Sequence, residues 1–573
     1  RGTYYFGTSN PVIDMNPCPN DPNLWRLSGE WSKGVPPTTD DMVIFLFNSY
    51  DTSNGDLDVC SLITYNDVTI NAGEYIKVAG DITINGSGSL TIEHEGSLVQ
   101  VDDNASVTNN GLIEVKKITP VNTHDSFSIL GSPMDGTTRD GAYVANNVVM
   151  KHDTNLFDLD PNVTAIDPLS EHFADEEGDN WIFMNGTLSN NPAEGYLVGP
   201  TTAAVAYELN YNQGTLNNGV YDYPVIYNGS KSESANILSN PYASAIDVHK
   251  LIQDNNTIID EVYYWEHLTP PGAYPGYRFE NWSMGDISMR NIGGGVGAPN
   301  AGPPTPPVPS RYMPSGQGFG IKAKTGGILV FDNSMRVTGP NTGYRNSELI
   351  ERLYIHLVNP TYQLQSSALI AFTEDATDGY ESNYDSNRLA TPVSIYSVLE
   401  DKELAIQGRS VFNENHIIPI GFRTQVDESQ FYIISLGDIE GDNLSEATVY
   451  LKDNLLDITT NLSEENYTFT SNESNQKDRF VIVFTEEVLS NQDFNESSIV
   501  VYPNPTEDQL TIASPLSQIT EVSIYDVRGR VVQTIEVNNQ NNYQIDTQTL
   551  ESSMYFVKIT TQNGSITKRI IKQ

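Results

Sequence analysis

Basic residues are scarce in this chain: 31 Lys and Arg stand against 74 Asp and Glu, a formal charge of −43. A surface of that sign repels phosphate backbones and anionic lipid, which argues against nucleic acid and the membrane surface as partners. It suits high solubility, bound cations or a crowded anionic cell exterior. Disorder is the other reading of high charge, but 31 Tyr, 19 Phe and regularly placed β-branched residues are enough to build cores. Long apolar runs are missing too, and none approaches the roughly 18 residues of a membrane-spanning helix. The opening RGTYYFGTSNP lacks the basic, apolar and small-residue order of a signal peptide. Arg1 is no initiator, so a processed form or a fragment of something longer is expected. Cysteine is limited to Cys18 and Cys60. An oxidising periplasm favours a disulfide between them, and two buried free thiols are the alternative.

Helical periodicity is lacking as well. Short alternating runs bounded by Asn, Asp, Gly and Ser recur from end to end, which predicts an all-β, multidomain chain, since 573 residues exceed one core. From about Leu57 to Lys117 the strands are very short: YIKV at 75–78, DITI at 81–84, SLTI at 89–92, SLVQV at 97–101 and LIEV at 112–115. Gly80, Gly86, Gly88, Gly96 and Gly111 punctuate them. Intervals of about eight residues suit the coils of a parallel β-solenoid, and a meander of hairpins is the competing reading. Residues 118–345 are richer in aromatics and loops and contain the tract NIGGGVGAPNAGPPTPPVPS at 291–310, in composition an interdomain linker. Residues 346–488 alternate in the rhythm of a β-sandwich: RLYIHLV at 352–358, ALIAF at 368–372, VSIYSV at 393–398, FYIISL at 431–436, RFVIVF at 479–484. The expected division is an opening segment plus solenoid over 1–117, sandwich-like domains over 118–345 and 346–488, a linker at 489–497, and a small Ig-like antiparallel module over 498–573.

That last module reads VVYPNPTEDQLTIAS at 500–514, EVSIYDVRGRVVQTIEV at 521–537 and MYFVKITTQNGSITKRIIKQ at 554–573. Arg528-Gly529 and Asn563-Gly564 stand where hairpin turns need a residue tolerant of positive φ. Pro503 and Pro505 set an extended approach to the first strand. Lys568, Arg569 and Lys572 make a basic tip on an acidic chain. The module resembles the type A C-terminal sorting domain of proteins exported by the type IX secretion system of the Bacteroidetes. The matching residues are Tyr502, Pro503, Asn504 and Pro505, then Tyr525, Asp526, Gly529 and Arg530, then Tyr555 and the lysine-bearing end at Lys568. Ser553-Met554 departs from the glycine usual before the aromatic strand. The resemblance implies recognition by the outer-membrane translocon and its shuttle protein. Cleavage by a sortase and attachment to anionic lipopolysaccharide, or release, would follow, placing the protein at the outer surface or outside the cell.

Upstream, WSKGVPPTTDDMVIF at 31–45 is similar to the opening of many flavobacterial surface proteins. LSNPYASAID at 238–247, MPSGQGFGIKA at 313–323, FDNSMR at 331–336, ALIAFTEDATDGYESNYD at 368–385 and LAIQGR at 404–409 resemble an arrangement recurring near their C-termini. The first two belong to one unit there, which makes the intervening Pro/Gly tract a loop within a domain.

No histidine pair has the spacing of a helical zinc motif, and no G-x-S-x-G elbow or phosphate loop occurs. Carboxylates are plentiful enough that paired acids for glycoside hydrolysis stay open, although solvated surface is the ordinary reading. Asp153, Asp158 and Asp160 cluster in a loop-like run and are candidate calcium ligands, as is the acidic loop Asp175, Glu176, Glu177 and Asp179. Tyr263, Tyr264, Trp265, Tyr274, Tyr277 and Trp282 could stack sugars, but aromatics in an all-β chain are more often core. The expectation is a non-enzymatic exported protein, a stalk, scaffold or adhesin for attachment or gliding motility, with no catalytic residues. The alternative is part of a secreted carbohydrate-active enzyme whose catalytic domain lies upstream of Arg1 or within 118–345. A third reading treats the chain simply as cargo for protein transport.

Overall fold

The computed structural model describes residues 18–119, 127–143, 148–161, 175–186, 188, 192–199, 206, 208–227, 235–270, 282–301, 307–339, 350–426, 428–471, 473–485, 499–514, 518–527, 530–561 and 565–573. The chain divides into two compact units, Arg1–Ile482 and Val483–Gln573.

The upstream unit opens with a parallel β-solenoid of three faces. One face stacks Asn23–Trp25, Met42–Phe45, Ser61–Thr64, Ile82–Ile84 and Val107–Asn109 in register. The second stacks Leu57–Val59, Tyr75–Val78 and Ser97–Gln100, and the third Tyr50–Asp51, Asp67–Ile70, Ser89–Ile92 and Leu112–Ile118. Each strand sends alternate side chains inward: Leu62, Ile82, Val68, Leu90, Ile76 and Leu98 are fully buried, one above another. The parallel register excludes the hairpin meander, because hairpin neighbours run antiparallel. The coils begin earlier than Leu57, at Asn23. The irregular loop 26–41 between the first two strands hides the repeat, and its Trp31 packs with Trp25, Phe45 and Tyr50 as an aromatic plug. A Cys18–Cys60 disulfide ties the opening segment to the solenoid.

The solenoid is joined to its neighbours by hydrogen bonds to its backbone. Leu112–Ile118 pairs antiparallel with Glu208–Tyr211, Leu98 N donates to Ala243 O, and Arg336 donates to Leu98 O at 2.7 Å. A four-stranded antiparallel sheet contains Ser128–Leu130, Tyr196–Val198, Val149–His152 and Trp181–Phe183. A five-stranded one orders Ala235–Ser239, Gly318–Lys322, Val262–Trp265, Ile287–Arg290 and Gly295–Val296. One short helix, Val248–Asp254, had no sequence signature of its own. The Asp247 carboxylate caps it by accepting from His249 N at 3.0 Å, and Val248, Leu251 and Ile252 bury its inner side.

Four glycines of the Pro/Gly tract, Gly293, Gly294, Gly295 and Gly297, are packed. Gly293–Ala298 are buried, Met289 pairs with Val296, and Arg352 Nε donates to Gly293 O at 2.8 Å. A Cβ on Gly294 would lie 2.6 Å from a Leu369 methyl, so the backbone presses directly on the following sheet. The tract runs within the unit because only glycine permits that approach.

Residues 350–485 form an eleven-stranded sheet folded over itself. Strands near its two ends meet across one aromatic core: Phe469 lies 4.9 Å from Phe480 and 5.1 Å from Phe422. Buried Arg479 and Asp453 bond at 2.7 Å, and Tyr467 O–H donates to the same carboxylate. The segment 486–498, which holds the expected linker, lies outside the described residues.

The C-terminal unit has its own core of Ile499, Leu510, Ile512, Ile519, Val522, Ile524, Val557, Ile559 and Ile570. Two antiparallel sheets enclose it. One orders Val500–Tyr502, Gln509–Ala513 and Asn542–Asp546; the other orders Val531–Gln540, Ile519–Asp526, Met554–Thr561 and Ser565–Ile571.

Candidate functional site

Asp153, Asp158 and Asp160, the expected calcium ligands, lie among the described residues. Among the described residues, no group of three or more His, Cys, Asp or Glu side chains is placed to hold a metal ion. Asp153 folds its own turn by accepting from Asn155 N at 3.0 Å. Asp175 braces the loop from within, accepting from Asp158 N at 2.9 Å and Glu177 N at 3.2 Å. Short carboxylates that take up backbone donors make turns, which is why such runs resemble metal loops in sequence.

Several described histidines and aromatics upstream are held by neighbouring side chains. Buried His249 lies 3.0 Å from an Arg290 guanidinium nitrogen, and His356 Nδ1 bonds Ser367 Oγ at 2.7 Å across paired strands. Trp265, Trp282, His267 and Phe127 form a half-buried ring cluster, with Trp265 Nε1 donating to His267 at 3.1 Å. Tyr274 and Tyr277 lie outside the described residues.

Buried carboxylates upstream are held by fixed partners. Burial works against the charge of Glu403, yet Arg423 at 2.8 Å and Arg388 at 2.7 Å hold it below the usual carboxylate range. Asp385 bridges the loop before it to the strand Lys402–Arg409, accepting from Glu381 N at 2.6 Å and Gly408 N at 2.9 Å. Burial outweighs those bonds and pushes its pKa up to about 6.

The motif residues of the C-terminal unit, by contrast, converge. On Met554–Thr561, and on Ile519–Asp526 beyond the irregularity after Ile519, the side chains alternate, so Ile524, Val557 and Ile559 face the core while Tyr525 and Phe556 face outward. Tyr525 pairs with Phe556, Phe556 with Arg569, and Tyr525 with Val531 beyond a bulge. One row, Val531–Tyr525–Phe556–Arg569, therefore crosses all four strands. Met554 pairs with Ile571 in the adjoining row, and Ser523 with Lys558 on the other side. Met554, Phe556, Ile571 and Val531 are 38%, 37%, 41% and 51% exposed, so this end of the outer face is apolar and open.

Tyr502-Pro503-Asn504-Pro505 explains how the edge of that row is held. The Asn504 amide Nδ2 donates to Arg569 O at 2.9 Å, and its Oδ1 accepts from Ile571 N at 2.9 Å. The side chain thus imitates a neighbouring strand against the last strand of the sheet. Thr506 N then donates to Ile571 O at 2.8 Å, and Gln573 N to Thr506 O at 2.9 Å. Pro503 and Pro505, both after cis peptide bonds, flank the clamp. Tyr502 is exposed on the other sheet, and Tyr555 is a buried anchor whose hydroxyl donates to Glu551 O at 3.0 Å. Asp526 closes its hairpin on Arg530, accepting from Arg530 N at 3.0 Å and Nε at 3.1 Å. Gly529 and both expected Gly turns lie outside the described residues, and Lys568 is half-exposed at the sheet edge. The clamp escaped sequence reading, although an asparagine between two prolines was its signal.

Comparison with known proteins fits this division. The model of a family described as "Domain of unknown function (DUF8693)" matches residues 20–484, and that of the "Secretion system C-terminal sorting domain" matches 500–573. No curated protein matches the chain. Among solved structures, Tp47, the 47-kilodalton lipoprotein of Treponema pallidum, aligns over 58% of this chain and 92% of that one. Identity is 10% and the TM-score 0.10, too slight to bear on fold or function.

Proposed function

The chain belongs to the family described as "Domain of unknown function (DUF8693)", and from that premise we propose that its upstream unit is a non-catalytic scaffold or stalk with an adhesin-like role. Residues 500–573 are its type IX sorting signal, and the protein is exported to the cell surface or the extracellular space. The observation that carries the scaffold reading is the use made of buried charge. Glu403 lies between two arginines, Asp453 is bound to Arg479 and Tyr467, and Asp286 takes Thr269 and Asn300. Groups so engaged rigidify a framework, whereas acid–base catalysis needs them turned to a concave site with a partner of matched pKa. Sortase cleavage of the last module, followed by attachment to anionic lipopolysaccharide or by release, completes the proposal.

Two measurements test its halves. Deleting residues 499–573 should leave the upstream unit folded in the periplasm, because its core is its own; surface arrival of the shortened chain would sink the sorting half. The full chain incubated with a polysaccharide panel should release no reducing ends. Turnover abolished by changing one carboxylate, with the fold intact, overturns the non-catalytic half.

A further inference from the structure

We propose that the outer face of the four-stranded sheet in the C-terminal unit is the surface by which the export machinery grips this protein. Its centre is the row Val531–Tyr525–Phe556–Arg569, with Met554 and Ile571 beside it. The inference rests on reading this unit as the sorting signal and goes beyond it by naming the face.

Three observations carry it. The three separated motifs of the unit have unrelated local conformations, yet they meet here. Tyr525 and Phe556 supply the middle of the row, and Asn504 fixes the backbone of Arg569 and Ile571 at its edge. One end of the face is apolar where a solvated sheet face should be polar: Met554, Phe556, Ile571 and Val531 are each 37–51% exposed. The charge nearest it is basic, with Arg569 in the row and Lys558 beside it, and the paired Glu521 and Glu536 lie further along the same face, in a chain whose formal charge is −43. Opposite charge on the partner would steer docking and set its register.

The occupant is accordingly a protein surface of the export machinery that carries an apolar strip bordered by carboxylates. The upstream unit as occupant, and a second copy of this chain, are alternatives that the test separates. Asn504 is a positioning residue in this arrangement, because it touches the last strand and leaves the partner to Arg569 and Phe556.

The test is export of the full chain from cells carrying the type IX machinery, read as the ratio of surface plus medium to periplasm. Phe556→Glu and Arg569→Glu should each lower that ratio at least tenfold and leave a folded, protease-resistant periplasmic pool. Asn504→Ala should lower it less and speed amide exchange at Ile571. Val500→Glu, which puts the same charge on the exposed face of the other sheet, should export normally. Should Phe556→Glu be degraded, Arg569→Glu decides alone, since its side chain points away from the core. Wild-type export of Arg569→Glu while the 499–573 deletion is retained overturns the proposed face and leaves the sorting reading intact. Export of the deletion itself overturns the sorting reading instead. A wild-type dimer that Phe556→Glu renders monomeric without loss of export assigns the face to self-association and overturns the proposal.

Discussion

His152 sits between Thr154 Oγ1 and Asn180 Nδ2, each 3.4 Å from a ring nitrogen, with the Trp181 ring edge-on at 4.9 Å. Burial pushes its pKa down to about 4, against the opposing pull of Asp153 and Asp175. The native ring stays neutral where the unfolded ring, titrating near 6.5, already binds a proton. The unfolded state therefore holds more protons between about pH 6.5 and 4, and the stabilisation present above that window is lost as pH falls through it. The loss should reach about 3 kcal/mol by pH 4. His152→Gln should flatten that part of the stability-against-pH curve, and an unchanged slope would place the acid sensitivity elsewhere. At this scale sequence reading was weakest. Asp153 and Asp158 stood out for their charge, but only the fold shows a turn-forming carboxylate in one and a backbone N–H bound by Asp175 in the other.

At the scale of elements, the solenoid was legible because each short strand presents apolar side chains to one inner face, as in Ile82-Thr83-Ile84 and Asp67-Val68-Thr69-Ile70. Coil spacing is set at the corners. A Cβ on Gly111 would stand 2.3 Å from the Gly88 carbonyl oxygen of the coil before it and 2.9 Å from an Ile84 methyl. Gly111→Ala must push two coils apart or break their register, and should cost about 1–3 kcal/mol, the usual range for overpacking. Calorimetry of the full chain should show a lower upstream transition; an unmoved transition would mean that the coils tolerate wider spacing. The Pro/Gly tract marks where element-level reading stops. Its composition is that of a linker, and the contacts of Gly293 and Gly294 with Arg352 and Leu369 join residues about 60–75 positions apart, beyond any local pattern.

For the whole molecule, charge is unevenly shared. In residues 500–573, Arg528, Arg530, Lys558, Lys568, Arg569 and Lys572 nearly balance seven carboxylates, so most of the excess of −43 lies on the upstream unit. Self-repulsion destabilises a compact state far from neutrality. Raising ionic strength from about 10 to about 150 mM shortens the screening length from about 30 to about 8 Å. The upstream transition should then move up and that of the sorting unit hardly at all, and equal shifts in both would contradict this assignment. The amino-acid order alone determined the all-β class, the export signal and the alternation that buries Val557 and bares Phe556. These depend on neighbours within a few residues, and a period of two reads directly along a strand. Which residues share a surface was decided by the tertiary structure. Asn504 reaches Arg569 and Ile571, and Tyr525 reaches Phe556, only after the strands have paired, because pairing register is a property of two segments and is encoded in neither alone.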